Sequence, residues 1–290
     1  MFSIVIAAAV MVAGQPADSI RLDQKGRPMI AMQIDDRGPF DMLVDTAAQT
    51  SVFTTALVEM LGLTPLDKRM TVNGVSGRME AAYYPIGRMQ TASLDLHNVA
   101  ILALPQIGVT QARGIIGIDL FADRKLVFDL ANRQMRAIAS GPAEPGTIAV
   151  KGKVNEKGLL TVPITVDGVV IDALVDTGAE GSVANAAAMA LLGWRDDDPR
   201  LRTYGTITGA TQGGSGVRSG IVGKVALGPV TFGNVPLLFT GQADQPPRII
   251  LGMDMLGLLR QFALDLPRGE LQILVPSPPV PPSRAQPPKR

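Results

Sequence analysis

The chain of 290 residues contains no cysteine and a single histidine. The first absence excludes disulfides, thiol nucleophiles and thiolate-held zinc or iron–sulfur centres. With only His97, a Ser-His-Asp triad or a multi-histidine metal site would have to be built around one residue. An excess of charge is also missing. Lys and Arg number 27 against 26 Asp and Glu, a net +1, so nothing electrostatic argues for nucleic acid or an anionic membrane. The apolar run from Phe2 to Ala13 is short of the roughly 20 residues that span a bilayer. It has the length of a signal-peptide core, and small residues follow at Ala13 and Gly14, although no Lys or Arg precedes it. Residues 1–17 are therefore expected to be a signal peptide and the protein exported, periplasmic or secreted. A buried first strand or an uncleaved anchor is the alternative.

What the chain has is a repeat. "MLVDTAAQTSV" (Met42–Val52) returns as "ALVDTGAEGSV" (Ala173–Val183), and Asp45 and Asp176 lie 131 positions apart. At that offset Asp41, Leu43, Val44, Thr46, Ala48, Ser51 and Val52 also recur unchanged. "GIIGIDLF" (Gly114–Phe121) returns as "IILGMDML" (Ile249–Leu256), and "VFDL" (Val127–Leu130) as "ALDL" (Ala263–Leu266). Identical order with a small drift in spacing means a duplicated unit with loop insertions. The units are read as residues 18–139 and 148–275. The Pro- and Gly-punctuated residues 140–147 form a linker between them, and residues 276–290 a disordered proline-rich tail.

With 46% hydrophobic and 18% charged residues the composition is globular. "TVPITVDG" and "VVIDALVD" are β-branched runs meeting at an Asp167-Gly168 turn. In "TTALVEMLGL", Leu57, Val58 and Leu61 share a helical face with Gly62 as stop, and "NAAAMALLGW" repeats this with Gly193. Many short strands with one short helix per unit give an all-β class with two related lobes.

A lone Asp-Thr-Gly is a common turn. Two copies are different, since each follows an apolar strand and each precedes an apolar-apolar-Gly element, Ile115-Ile116-Gly117 and Ile250-Leu251-Gly252. On these residues each unit resembles one lobe of a retropepsin-like aspartic protease. The chain, from about Ser19 to Val275, resembles a single-chain tandem of that dimer. Asp119 and Asp254, after the apolar-Gly elements, depart from the retroviral pattern and are similar to bacterial and cellular members.

The resemblance implies two β-barrel lobes and Asp45 and Asp176 as catalytic residues. It also implies Thr46 and Thr177 cross-bonded beneath them, with Ala47 and Gly178 completing the turns. Two carboxylates held about 3 Å apart cannot both ionise, so the pair shares a proton. One member can then activate a water while the other polarises the scissile carbonyl. This chemistry needs no metal and no cofactor. The expected partner is a polypeptide bound extended, and the protein is expected to be a monomer. Ala47 stands where the family has glycine, at a cost of about 1 kcal/mol if the position needs a positive φ. That departure keeps a second reading open, a catalytically weakened peptide-binding pseudoprotease.

The family's substrate-clamping hairpins match "VNGVSGRM" and "TITGATQGG", which makes Asn73, Gly74, Val75, Thr208, Gly209 and Ala210 candidate flap residues. His97 is read as an exposed strand or turn residue, Trp194 as core, and "RDDDPR" (Arg195–Arg200) as a solvated loop.

Overall fold

The computed structural model describes residues 15–74, 77–105, 111–208, 214–241 and 246–275. Most of the expected signal segment and the proline-rich tail 276–290 lie outside the described residues. The protein is all-β, built as two related lobes joined by a shared sheet.

Alternation of side chains makes each lobe. In the strand Pro28–Ile34, Ile30, Met32 and Ile34 are fully buried while the residues between them are more exposed, the period-two pattern of a sheet with one wet face. The chain reverses at Asp35 and Asp36, both at positive φ, into the strand Arg37–Val44. That strand pairs in parallel with Gly114–Ile116, and the sheet continues through Val52–Thr54, Asp95–Leu104 and Gly77–Gln90. Gln33 then pairs with Gln90 and closes a six-stranded barrel. The second lobe repeats every step. Pro28–Ile34 corresponds to Leu160–Val166, Arg37–Val44 to Val169–Val175, and Gly114–Ile116 to Ile249–Leu251. The pairing Thr165↔Ala226 closes this barrel. The helices Thr55–Met60 and Ala186–Leu191 are capped by the side chains of Thr54 and Asn185. Each is followed two residues later by its expected glycine, Gly62 and Gly193.

The lobes meet in a six-stranded antiparallel sheet. Its centre pairs Arg124–Asp129 of the first lobe with Gln261–Asp265 of the second. Phe128 and Phe262 stack across this seam with ring centroids 4.9 Å apart, both fully buried. The linker is tied to the shared sheet. Asp265 accepts hydrogen bonds from Ser140 Oγ at 2.6 Å and Gly141 N at 3.0 Å, and Lys125 Nζ donates to the Gly141 and Pro142 carbonyls. Thr147, read as the last linker residue, is instead the first residue of the strand Thr147–Lys151 in the shared sheet. Its backbone pairs with Leu274, so the linker ends one residue earlier than read from sequence.

Of the other residues singled out, Trp194 is buried against Phe239, with the Arg200 guanidinium over its outer face. His97 is exposed beside Asp95 in the strand Asp95–Leu104.

Truncating a buried aromatic that holds two lobes together removes contacts on both sides. Phe128→Ala should therefore lower stability by about 3–5 kcal/mol in urea unfolding monitored by circular dichroism. A loss below about 1 kcal/mol would mean that the seam does not couple the lobes.

Candidate active site

The two acids end two central strands. Met42, Leu43 and Val44 are all buried, because this strand is covered on both faces. Leu43 belongs to a separate apolar cluster with Val52, Leu102, Leu104 and Ile115, opposite the main core. The parallel ladder Val44↔Ile116 continues one bond further, where Asp45 N donates to Ile116 O at 3.0 Å. In the second lobe Val175 pairs with Leu251, and Asp176 N donates to Leu251 O at 3.0 Å. A carboxylate ends each buried strand because the neighbouring strand still holds its backbone there.

Each turn then folds back on its own acid. Ala47 N and Ala48 N both donate to Asp45 Oδ1 at 2.9 Å; Gly178 N and Ala179 N donate to Asp176 Oδ1 at 2.8 and 3.0 Å. Thr46 and Thr177, 1% and 0% exposed, cross between the lobes. Thr46 Oγ1 donates to Val175 O at 2.9 Å and accepts from Thr177 N at 3.1 Å. Thr177 Oγ1 donates to Val44 O at 2.7 Å and accepts from Thr46 N at 3.2 Å. The two hydroxyls, two N–H groups and two carbonyls of the crossing are all paired, as burial demands.

A second support, unassigned on sequence, lies behind each turn. Ser51 N and Oγ donate to Asp119 at 3.0 and 2.7 Å, and Ser51 Oγ accepts from Gly117 N at 2.9 Å. Ser182, Asp254 and Gly252 repeat this at 3.0, 2.7 and 3.0 Å. Burial pushes the Asp119 carboxyl up, against the bonds from Ser51. A Cβ on Gly117 would come 2.6 Å from Ala48 O, and one on Gly252 2.7 Å from the Gly181 backbone, so only glycine lets this element close on the turn. The signal was present in the repeat, where Ser51, Gly117 and Asp119 all return.

The result is a pair of carboxylates, half-buried and still open to solvent, within hydrogen-bonding reach of each other. Burial pushes Asp176 well above the usual carboxylate range, and the neighbouring Asp45 charge pushes it further. Burial raises Asp45 too, but the N–H groups of Ala47 and Ala48, the hydrogen bond with Asp176 and, least of these, the Arg27 cation oppose the rise. Two acids raised by burial, one of them further by its neighbour's charge, favour a single proton shared between them.

A family model for aspartyl protease matches residues 30–120 and 162–255, more than half of the chain. The chain belongs to the aspartyl protease family. It is a tandem, retropepsin-like member, and each matched stretch contains one acid-bearing turn and one apolar-Gly element. Comparison with curated proteins gives no match. Among solved structures, a retropepsin-like aspartic protease from Rickettsia conorii is similar at 24% identity, over 46% of this chain and 92% of that one, with a TM-score of 0.35.

Two sequence readings need adjustment for this aspartyl protease. Ala47 is not among the residues at positive φ, so its methyl carries no left-handed strain. The flap signal is also displaced. Asn73 and Gly74 are the last residues of the strand Arg69–Gly74, paired with Arg78 and Gly77, rather than the turn itself. The ladder runs two residues beyond where Asn-Gly marks a turn, because the strand Gly77–Gln90 is long enough to pair with both. Val75 lies outside the described residues. Thr208 ends the strand Arg202–Thr208 and pairs with Gly214, while Gly209 and Ala210 lie outside the described residues.

Removing one crossed hydroxyl strands two buried groups, at about 1–3 kcal/mol each. Thr177→Val should cost about 2–5 kcal/mol in chemical denaturation, by orphaning Val44 O and Thr46 N. Thr177→Ser should remain within about 1 kcal/mol of the parent, since it keeps the hydroxyl. Equal losses in the two variants would make the methyl, not the hydroxyl, the stabilising group.

Proposed function

We propose that the protein is an aspartic endopeptidase that hydrolyses peptide bonds in extended polypeptide segments. The observation that carries this is the matched pair of proton-sharing carboxylates, open to solvent and fixed by crossed threonines at the lobe boundary. The ionised carboxylate takes a proton from a water molecule whose oxygen forms a bond to the scissile carbonyl carbon. The protonated carboxyl gives its proton to the carbonyl oxygen. When the C–N bond of that tetrahedral intermediate breaks, the carboxyl that gained the water proton passes it to the leaving nitrogen, and the other carboxylate takes back a proton from one hydroxyl of the intermediate as that oxygen becomes the carbonyl of the product acid. One proton then remains on the pair, ready for the next cycle.

The hairpins ending at Gly74/Gly77 and at Thr208/Gly214 are in equivalent places in the two lobes, which supports their reading as flaps that bind substrate main chain. The pseudoprotease reading loses its main support, since Ala47 imposes no backbone strain.

Asp45→Asn and Asp176→Asn should each leave roughly 10⁻³ of activity or less on a denatured protein substrate, because each breaks the same acid–base unit. Neither variant should be destabilised at neutral pH, since each removes an ionisable group whose charged form burial disfavours. Activity should fall at both ends of the pH range, at low pH as the second carboxylate is protonated and at high pH as the shared proton is lost. A wild-type protein whose cleavage ignores a transition-state-mimicking aspartic protease inhibitor, or an active Asp45→Asn, would refute the reading.

Export is proposed with it. Among the described residues no helix is long and apolar enough to cross a membrane. The Asp18 carboxylate accepts hydrogen bonds from Thr91 Oγ1, Ala92 N and Ser93 Oγ, which argues for a mature chain that keeps Asp18. N-terminal sequencing of protein from its native host should therefore give a start between Gly14 and Asp18. Recovery of intact Met1 in a soluble cytosolic fraction would refute this.

A further inference from the structure

The duplicated lobes are not equal around the dyad. In the first lobe "LDQKGRP" (Leu22–Pro28) leads into the opening barrel strand, and in the second "VNEKGLL" (Val154–Leu160) does the same. Both form one turn. Asp23 Oδ1 accepts from Lys25 N and Arg27 N at 2.9 Å each, and Asn155 Oδ1 accepts from Lys157 N and Leu159 N at 2.9 and 3.0 Å. The backbone role is shared, but the charge is not. Arg27 is replaced by Leu159, which is buried in the core.

Arg27 is itself 9% exposed, and its orientation is set by Asp23. Asp23 Oδ2 accepts from Arg27 Nε at 2.8 Å and Nη2 at 2.6 Å, and this directs Nη1 across the lobe boundary to Gly178 O at 3.4 Å. Gly178 in turn lies against Asp45, since a Cβ there would come 2.3 Å from the Asp45 carboxyl carbon. The cation thus reaches the turn residue that packs on the Asp45 carboxyl, while its other nitrogens pair with Asp23. The Arg27 charge favours the ionised form of Asp45. Among the other charged groups near the turns, Lys25 and Glu180 pair with each other at 3.3 Å on the surface. Asp119 and Asp254 are tied to Ser51 and Ser182 behind the turns, one in each lobe, and so do not distinguish the two sides.

We propose that Arg27 is a positioning residue that breaks the symmetry of the dyad, making Asp45 the carboxylate that activates water and Asp176 the one that holds the proton. This rests on the endopeptidase reading for its mechanistic meaning, but the charge assignment is separately measurable. The device works through an oriented ion pair. Guanidinium stays charged at all relevant pH, and the low-polarity surroundings let its field reach the acid with little screening. With Leu159 in the matching place of the second lobe, Arg27 makes the surroundings of the two acids unequal.

The test uses the acidic limb of the kcat/KM–pH profile together with the ¹³C NMR titration of labelled aspartate carboxyls, assigned with the Asp45→Asn and Asp176→Asn spectra. Arg27→Leu places the second lobe's own residue in the first lobe. Loss of the cation should move the acidic limb and the first carboxyl titration upward by about 0.5–1 pH unit. Arg27→Lys, which keeps the charge, should remain within about 0.3 unit of wild type. Asp23→Asn keeps the turn, as Asn155 does, and frees Arg27 from its counterion; it should move both readouts downward. If Arg27→Leu fails to fold, the double variant Asp23→Asn/Arg27→Leu restores the complete second-lobe turn and should still shift upward, by less. An unmoved limb and titration in Arg27→Leu, with only kcat or stability reduced, would make Arg27 structural and overturn the proposal. A wild-type protein that cleaves nothing would count against the endopeptidase reading, while the carboxyl titrations would still decide the role of Arg27.

Discussion

Everything at the site depends on two threonine hydroxyls that each cross to the other lobe. Thr46 and Thr177 each donate to a strand carbonyl of the opposite lobe and accept from the opposite threonine's N–H. Buried hydroxyls without partners would be costly, so the crossing forms only when both lobes are in register. That requirement sets the separation of the acids one residue away. The shared sheet and the Phe128–Phe262 stack bring the lobes together, but these contacts lie away from the turns and cannot alone define a spacing between carboxylates.

The fold supports the crossing in successive layers. Parallel ladders hold the strand ends at Val44 and Val175, and Ser51–Asp119 and Ser182–Asp254 brace the loops behind. Gly117 and Gly252 let that brace come within backbone contact. These supports hold two acids together at low polarity, an arrangement that disfavours ionising both. The opposition is what keeps a proton on the pair, and the crossed threonines and the braced turns hold the acids in place against it.

Duplication gives symmetry, and the departures from it carry the chemistry of a heterogeneous pair. Arg27 against Leu159, Ala47 against Gly178 and Gln49 against Glu180 all lie within or beside the two turns. A symmetric dyad must choose its proton-bearing member by substrate binding alone. A fixed cation on one side chooses beforehand, and charge placed in advance costs no reorganisation during the reaction.

The primary structure by itself determined the two-lobe all-β architecture, because strand alternation and a repeat offset of 131 are local or linear properties. It also determined which residues are the acids and which threonines accompany them, since identical turns after identical apolar strands are visible without coordinates. The signal was weaker where position depends on pairing length. Asn73-Gly74 has the composition of a turn, yet the partner strand carries the ladder past it. The linker's tether to Asp265 and Lys125 was likewise hidden, because its partners are far away in sequence. Only the tertiary structure decided that Ala47 is unstrained, that Ser51 and Asp119 brace the turn, and that Arg27 reaches Gly178 from the other lobe. Each of these is a distance or a dihedral set by how two barrels dock, and docking is a property of the packed whole rather than of any segment read alone.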